Sequence, residues 1–138
     1  MILRRDAKVK LISRVPLFEG CSGRELAQVA SIAQHVELPE GAVLIREGEP
    51  GRDFFALVEG SVDVRKNGRR IATLGAGDFV GEIALLTNAP RTATVRARSP
   101  ISALRLTRQG FSTLLDASPR MRAKVLKTLA DRLAPSAL

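Results

Sequence analysis

Phe54-Phe55-Ala56-Leu57-Val58-Glu59-Gly60-Ser61-Val62-Asp63-Val64-Arg65-Lys66-Asn67-Gly68-Arg69-Arg70-Ile71-Ala72-Thr73-Leu74-Gly75-Ala76-Gly77-Asp78 is a series of short apolar stretches cut by glycine-bearing turns. Residues 54–58 are continuously apolar, and Gly60 stops them. Val62 and Val64 then alternate with Asp63 and Arg65, the two-residue period of a half-buried strand. Asn67-Gly68 favours a tight hairpin, because both residues tolerate positive φ. Ile71 to Leu74 runs back, and Gly75-Ala76-Gly77-Asp78 turns again.

The pattern extends in both directions. His35-Val36-Glu37-Leu38 alternates, Pro39-Glu40-Gly41 turns, Val43-Leu44-Ile45 is apolar, and Glu47-Gly48-Glu49-Pro50-Gly51 is a strong turn cluster. Residues 93–98 and 102–106 resume the strand pattern. Many short strands with regular glycine-rich turns predict a barrel or β-sandwich. Helices flank it. The stretch from roughly 6 to 18 carries Val9, Leu11, Ile12, Val15, Leu17 and Phe18; its spacing is helical up to Arg14, and Pro16 ends the run. Ser22-Gly23-Arg24-Glu25 is a capping box that opens a second helix with Leu26, Val29, Ala30, Ile32 and Ala33 inward. Thr107 caps a helix bearing Phe111, Leu114 and Leu115. Ser118-Pro119 opens a last one with Met121, Val125, Leu126, Leu129 and Leu133 on its apolar side.

Composition bounds the function. The 138 residues make one domain, 1–138, large enough for a real core. With 45% hydrophobic and 26% charged residues the chain is globular rather than disordered. No apolar run approaches the roughly 18 residues that span a bilayer, so no membrane partner is expected. The opening Met1-Ile2-Leu3-Arg4-Arg5 lacks the apolar core of a signal peptide. Together with the single Cys21, which rules out an internal disulfide, this predicts a cytoplasmic location. The net charge of +8 favours anionic partners. Its carriers sit at the N-terminus (Arg4, Arg5, Lys8, Lys10, Arg14), at one turn (Arg65, Lys66, Arg69, Arg70) and near the C-terminus (Arg120, Arg122, Lys124, Lys127, Arg132). Interleaved with apolar residues, most of them read as solvated faces, with a working basic patch as the alternative.

One segment interrupts the strands: Gly81-Glu82-Ile83-Ala84-Leu85-Leu86-Thr87-Asn88-Ala89-Pro90-Arg91-Thr92-Ala93-Thr94-Val95. A glycine opening a helical turn leaves free backbone N–H groups at a positive dipole end, which attracts an anion. Arg91 adds a planar cationic fork suited to phosphate oxygens. Glu82 can accept from sugar hydroxyls. Together they predict a site for a ligand carrying both phosphate and ribose. The alternative is a Glu82–Arg91 salt bridge that merely holds a loop, which at a surface stabilises little.

These residues resemble the cyclic nucleotide-binding domain family, of the bacterial catabolite-activator and protein kinase A regulatory-subunit type. The likeness is carried by Phe79-Val80-Gly81-Glu82-Ile83-Ala84-Leu85-Leu86 and Pro90-Arg91-Thr92-Ala93-Thr94-Val95, which look like its phosphate-binding cassette. It extends to Val15-Pro16-Leu17-Phe18, Gly48-Glu49-Pro50-Gly51, the run from Phe54 to Gly60, and Gly75-Ala76-Gly77-Asp78, covering roughly residues 12–134. The resemblance implies an α+β fold: an antiparallel β-roll (a jelly roll) over about 34–106, N-terminal helices, C-terminal helices over about 107–134, and a short helix inside the cassette. It implies that Arg91 pairs with the cyclic phosphate and that Glu82 accepts from the ribose 2′-hydroxyl. Backbone N–H groups of Gly81, Ile83 and Ala84 would lie nearby, and Thr92 would add a hydroxyl. The base would rest on Val62, Val64, Ile71 and Leu74 of the hairpin. With no Trp or Tyr for a stacking lid, the cap falls to the last helix, with Leu129, Arg132 and Leu133 as candidates and Lys127 beside them.

The expected function is therefore a regulatory sensor that binds cAMP, or cGMP, and rearranges its terminal helices; Thr92 is compatible with either base. No cofactor, metal site or catalytic residue is expected, since His35 is the sole histidine and no nucleophile–base pair is evident. Cys21 reads as an unremarkable cysteine rather than a reactive thiol. The partner is expected to be an unknown protein effector or an effector domain missing from this chain, and a homodimer stays open. The competing readings are a basic nucleic-acid-binding protein, for which no motif or aromatic platform is found, and a degenerate member of the fold that binds no nucleotide.

Overall fold

The computed structural model describes residues 5–15, 18–50, 53–81 and 93–133. The N-terminal helices are α1 (Arg5–Ser13) and α2 (Gly23–Ile32). Among the described residues eight strands follow: β1 (Gln34–Leu38), β2 (Val43–Ile45), β3 (Asp53–Glu59), β4 (Ser61–Lys66), β5 (Arg69–Gly75), β6 (Phe79–Val80), β7 (Thr94–Ala97) and β8 (Ile101–Thr107). Among the described residues two helices follow the strands, α3 (Arg108–Ala117) and α4 (Pro119–Leu133). The expected α+β order of helices, strands and helices is observed. The first helix ends at Ser13, one residue before Arg14, where the helical spacing stops ahead of Pro16. The two-residue β6 had no periodic signal of its own.

The strands form two antiparallel four-stranded sheets, ordered β1-β8-β3-β6 and β2-β7-β4-β5. Among the described strands, only the β4–β5 connection stays within one sheet; every other step carries the chain to the opposite sheet. That alternation makes the roll. The β4–β5 hairpin turns on Asn67 (φ +53°) and Gly68 (φ +78°), the paired positive dihedrals its sequence predicted. The β3–β4 corner depends on Gly60. Its φ is +87°, and a Cβ there would collide with the Pro100 carbonyl and lie 2.8 Å from Ile101 Cγ2. Two corners of the chain are thus stacked backbone on backbone, and the Ser61 N–H donates to Ser99 Oγ across them (3.1 Å).

Because β3 is buried on both faces, its apolar run is continuous. Phe54 and Ala56 face the helices, while Phe55 and Leu57 face the second sheet. One core gathers Ile12, Val15, Phe18, Val29, Phe79, Leu104, Leu106, Phe111 and Met121 around Phe54. Phe54 lies 4.7 Å from Phe111 and 5.5 Å from Phe79, ring centre to ring centre. The other core fills the roll between the sheets with Ile45, Phe55, Leu57, Val62, Val80, Val95, Ala97, Ile101 and Ala103. The molecule is therefore a helical layer on a two-sheet roll.

All three predicted helix caps form. Ser22 and Glu25 make the full capping box of α2, with Ser22 N–H to Glu25 Oε1 at 2.9 Å and Glu25 N–H to Ser22 Oγ at 3.1 Å. Thr107 Oγ1 accepts from the Gly110 N–H (3.0 Å) at the start of α3. Ser118 Oγ accepts from the Met121 N–H (3.2 Å) at the start of α4. On α4, Met121 is buried, but Leu126 is 57% exposed, contrary to the predicted apolar stripe. Some of the positive charge serves the helix C-termini, where carbonyls lack partners. Lys8 Nζ donates to the Ala33 carbonyl (2.8 Å), and Arg122 Nη2 to that of Leu115 (3.0 Å). Among the described residues no helix is long and apolar enough to cross a membrane.

Candidate functional site

The segment singled out by sequence joins β6 to β7 and so passes from one sheet to the other. Both of its anchors are fixed by the inter-sheet core. Val80, paired with Phe55, precedes it, and Val95, paired with Ile45 and Val64, ends it. Both valines are 5% exposed or less. Gly81 leaves β6 with φ +97°, a left-handed conformation that L side chains rarely adopt. Its presence at the start of the segment is thus a backbone requirement. Glu82, Ile83, Ala84, Arg91 and Thr92, and the short helix expected among them, lie outside the described residues.

The hairpin residues divide. Val62 and Leu74 are register partners across β4–β5, and both point into the roll with Val64. Val62 is fully buried and belongs to the core, whereas Val64 and Leu74 are only half-buried at its rim. Ile71 does not join them. A register shift between Val64 and Arg65 places it beside the Arg65–Arg70 pair, and it is 59% exposed. A period-two count across a bulge assigns such a residue to the wrong face. The candidates Leu129, Arg132 and Leu133 occupy the last turns of α4, but their side chains lie outside the described residues.

The outer face of the second sheet carries a charge cluster that the spacing had not revealed. Asp63 lies 3.4 Å from Arg98, 3.8 Å from Arg65 and 3.9 Å from Arg70, with its side chain 15% exposed and the guanidinium groups about three times as open. Arg96 is its register partner on β7. Asp63 Oδ1 has no hydrogen-bond partner, so the carboxylate is held by charge rather than by directed bonds.

The remaining candidates for chemistry have structural partners. His35 Nε2 and Ser102 Oγ share a hydrogen bond of 2.7 Å between β1 and β8. The Cys21 thiol is pushed above its ordinary value by burial and by the nearby Glu25 carboxylate, which disfavours the nucleophilic thiolate. Among the described residues no three His, Cys, Asp or Glu side chains gather as a metal site.

The model of the cyclic nucleotide-binding domain matches residues 35–118, spanning both sheets and α3. The chain is 37% identical over 123 residues to a cyclic nucleotide-gated potassium channel of Rhizobium etli, covering 89% of this chain and 34% of the channel. It superposes on the regulatory subunit of a cAMP-independent protein kinase A from Trypanosoma brucei with a TM-score of 0.82 and 29% identity, covering 96% of this chain and 46% of that one. It also superposes on the regulatory domain of Toxoplasma gondii protein kinase A with cAMP, with a TM-score of 0.79 and 26% identity, over 96% and 50% of the two chains. The chain thus spans about a third of the channel and half or less of the two kinase subunits. From β1 to the end of α3, the match runs through the same roll whose two sheets anchor the Gly81–Val95 segment, and the chain belongs to the cyclic nucleotide-binding domain family.

Proposed function

We propose that the chain is a regulatory module that binds a cyclic mononucleotide, cAMP in preference to cGMP, and passes the event to its terminal helices. The observation that carries this is the framing of the Gly81–Val95 segment: a left-handed glycine leaves one sheet, Val95 enters the other, and both ends rest on the inter-sheet core. In this reading Arg91 pairs with the cyclic phosphate. One guanidinium balances the single negative charge, so neither is left unpaired in an apolar setting. Glu82 accepts from the ribose 2′-hydroxyl, and Thr92 and the N–H groups of Gly81, Ile83 and Ala84 complete the phosphate shell. The base lies against the half-buried rim at Val64 and Leu74, with Val62 beneath it, and Leu129, Arg132 or Leu133 of α4 closes over it.

The module acts by binding rather than by catalysis, in the cytoplasm, and its output goes to a protein effector in trans or to a further domain. Ligand binding shifts the helices only through a difference in affinity between two arrangements. Calorimetric titration with cAMP and with cGMP tests the reading. Replacing Arg91 by Ala should weaken binding by about 2–5 kcal/mol, roughly 30- to several-thousand-fold. Equal affinities for the parent chain and the Arg91→Ala variant would remove Arg91 from that role.

A second reading has one observation in its favour: the Trypanosoma brucei subunit it resembles is described as cAMP-independent. A parent chain that ignores both nucleotides would make this chain a member of the fold that binds neither.

A further inference from the structure

Glu47 stands between the two ends of the proposed site. It lies two residues beyond β2, and it makes two long-range bonds. Its N–H donates to Thr94 Oγ1 at 3.0 Å in a half-buried position. Its Oε1 accepts from the Asn67 N–H at 3.0 Å, at the tip of the β4–β5 hairpin. Thr94 opens β7, three residues after Arg91 in sequence. Asn67 is the positive-φ residue on which the hairpin turns. One residue therefore connects the end of the phosphate segment to the tip of the hairpin that bears Val64 and Leu74.

The hairpin needs such a connection. The register shift between Val64 and Arg65 breaks the regular ladder just before the tip. Beyond it, a Cβ added at Gly68 would meet nothing within 4 Å, so the turn projects into open space. The same holds for Gly48, beside Glu47. At the hairpin tip, then, the Glu47 carboxylate supplies a tether that crosses from another part of the chain.

Resting on the cyclic-nucleotide reading above, we propose that Glu47 is a positioning residue: through Thr94 and Asn67 it sets the base-bearing hairpin at a fixed register from the phosphate-binding segment. Its two bonds have separable effects. Glu47→Ala frees the hairpin but keeps the N–H on Thr94. Thr94→Val leaves that N–H without its acceptor and loosens the phosphate end. Glu47→Gln and Thr94→Ser keep an acceptor at each place.

Titration of the parent and these four variants with cAMP and with ribose 3′,5′-cyclic phosphate, which lacks the base, tests the assignment, with thermal melting alongside. Glu47→Ala should lose about 3- to 10-fold in affinity for cAMP, the range of one hydrogen bond, and keep its affinity for the base-free ligand. Thr94→Val should lose both ligands by a similar factor. Glu47→Gln and Thr94→Ser should stay within about twofold of the parent. Parent-like cAMP binding by Glu47→Ala overturns the inference. So does an equal loss of both ligands by Glu47→Ala, or a Gln variant as weak as the Ala variant, since each describes a general structural defect. A parent chain that binds neither cAMP nor cGMP instead overturns the underlying reading, and this assignment with it.

Discussion

The Glu25 carboxylate accepts a 2.7 Å hydrogen bond from Ser118, which stands 93 residues away at the head of α4. Its other oxygen accepts from the Ser22 N–H within the α2 capping box. Ser118 is the buried polar side chain at the junction of α3 and α4, and its hydroxyl oxygen also caps α4 by accepting from Met121. A single carboxylate thus fastens the N-terminal helices to the start of the last helix. Arg120 on the Gly20 carbonyl and Lys124 on that of Glu19 join the same contact.

This fastening should depend on pH. The Ser22 N–H and then the Ser118 hydroxyl hold the Glu25 carboxyl below its ordinary value of 4.5. A depressed folded-state value means that the ionised group stabilises the fold above the unfolded value. That contribution fades as pH falls below about 4.5 through the folded one. The melting difference between the parent and Glu25→Gln should therefore be largest near neutrality and shrink toward pH 3. A difference that stays constant over that range would show that the charge has no part in it.

Phe54 should be the costliest single truncation. It is fully buried, stacks on Phe111 at 15° between ring planes, and touches Phe79, so it joins the helical layer to the first sheet. Phe54→Ala should lose about 3–5 kcal/mol in chemical denaturation, with a smaller loss for Phe54→Leu. A loss below about 1 kcal/mol would mean that the two layers are not joined there.

Asp63→Asn tests the arginine cluster. Removing the carboxylate leaves Arg65, Arg70 and Arg98 facing one another without a counter-charge. Repulsion between exposed charges is screened by salt. The variant should be destabilised at low ionic strength and recover toward the parent as salt approaches 1 M. Denaturation curves whose separation does not change with salt would rule out the electrostatic account.

Sequence reading reached the fold far more fully than the site. The Asn67-Gly68 turn, the Ser22–Glu25 box and the Thr107 and Ser118 caps were legible because each is decided by residues within a few positions of one another. The two-sided burial of β3 was legible as a continuous apolar run. Ile71 was misplaced because a bulge breaks the two-residue period, and Leu126 because a helical stripe names a face without saying whether anything covers it. Glu47 carried no signal: in sequence it is one acidic residue in a turn cluster.

By itself, the sequence determined the local devices and the family: glycines where φ must be positive, helix caps, strand periods, and the motif from Gly81 to Val95. Those follow from short-range sterics and hydrogen bonding, which nearby residues settle among themselves. Only the tertiary structure decided which sheet each strand joins, that Phe79-Val80 is a strand at all, and that Glu25 meets Ser118 and Glu47 meets Thr94. A period of two tells a strand which side chains face inward but not which distant strand lies beside it. That pairing is chosen by how two apolar cores pack together.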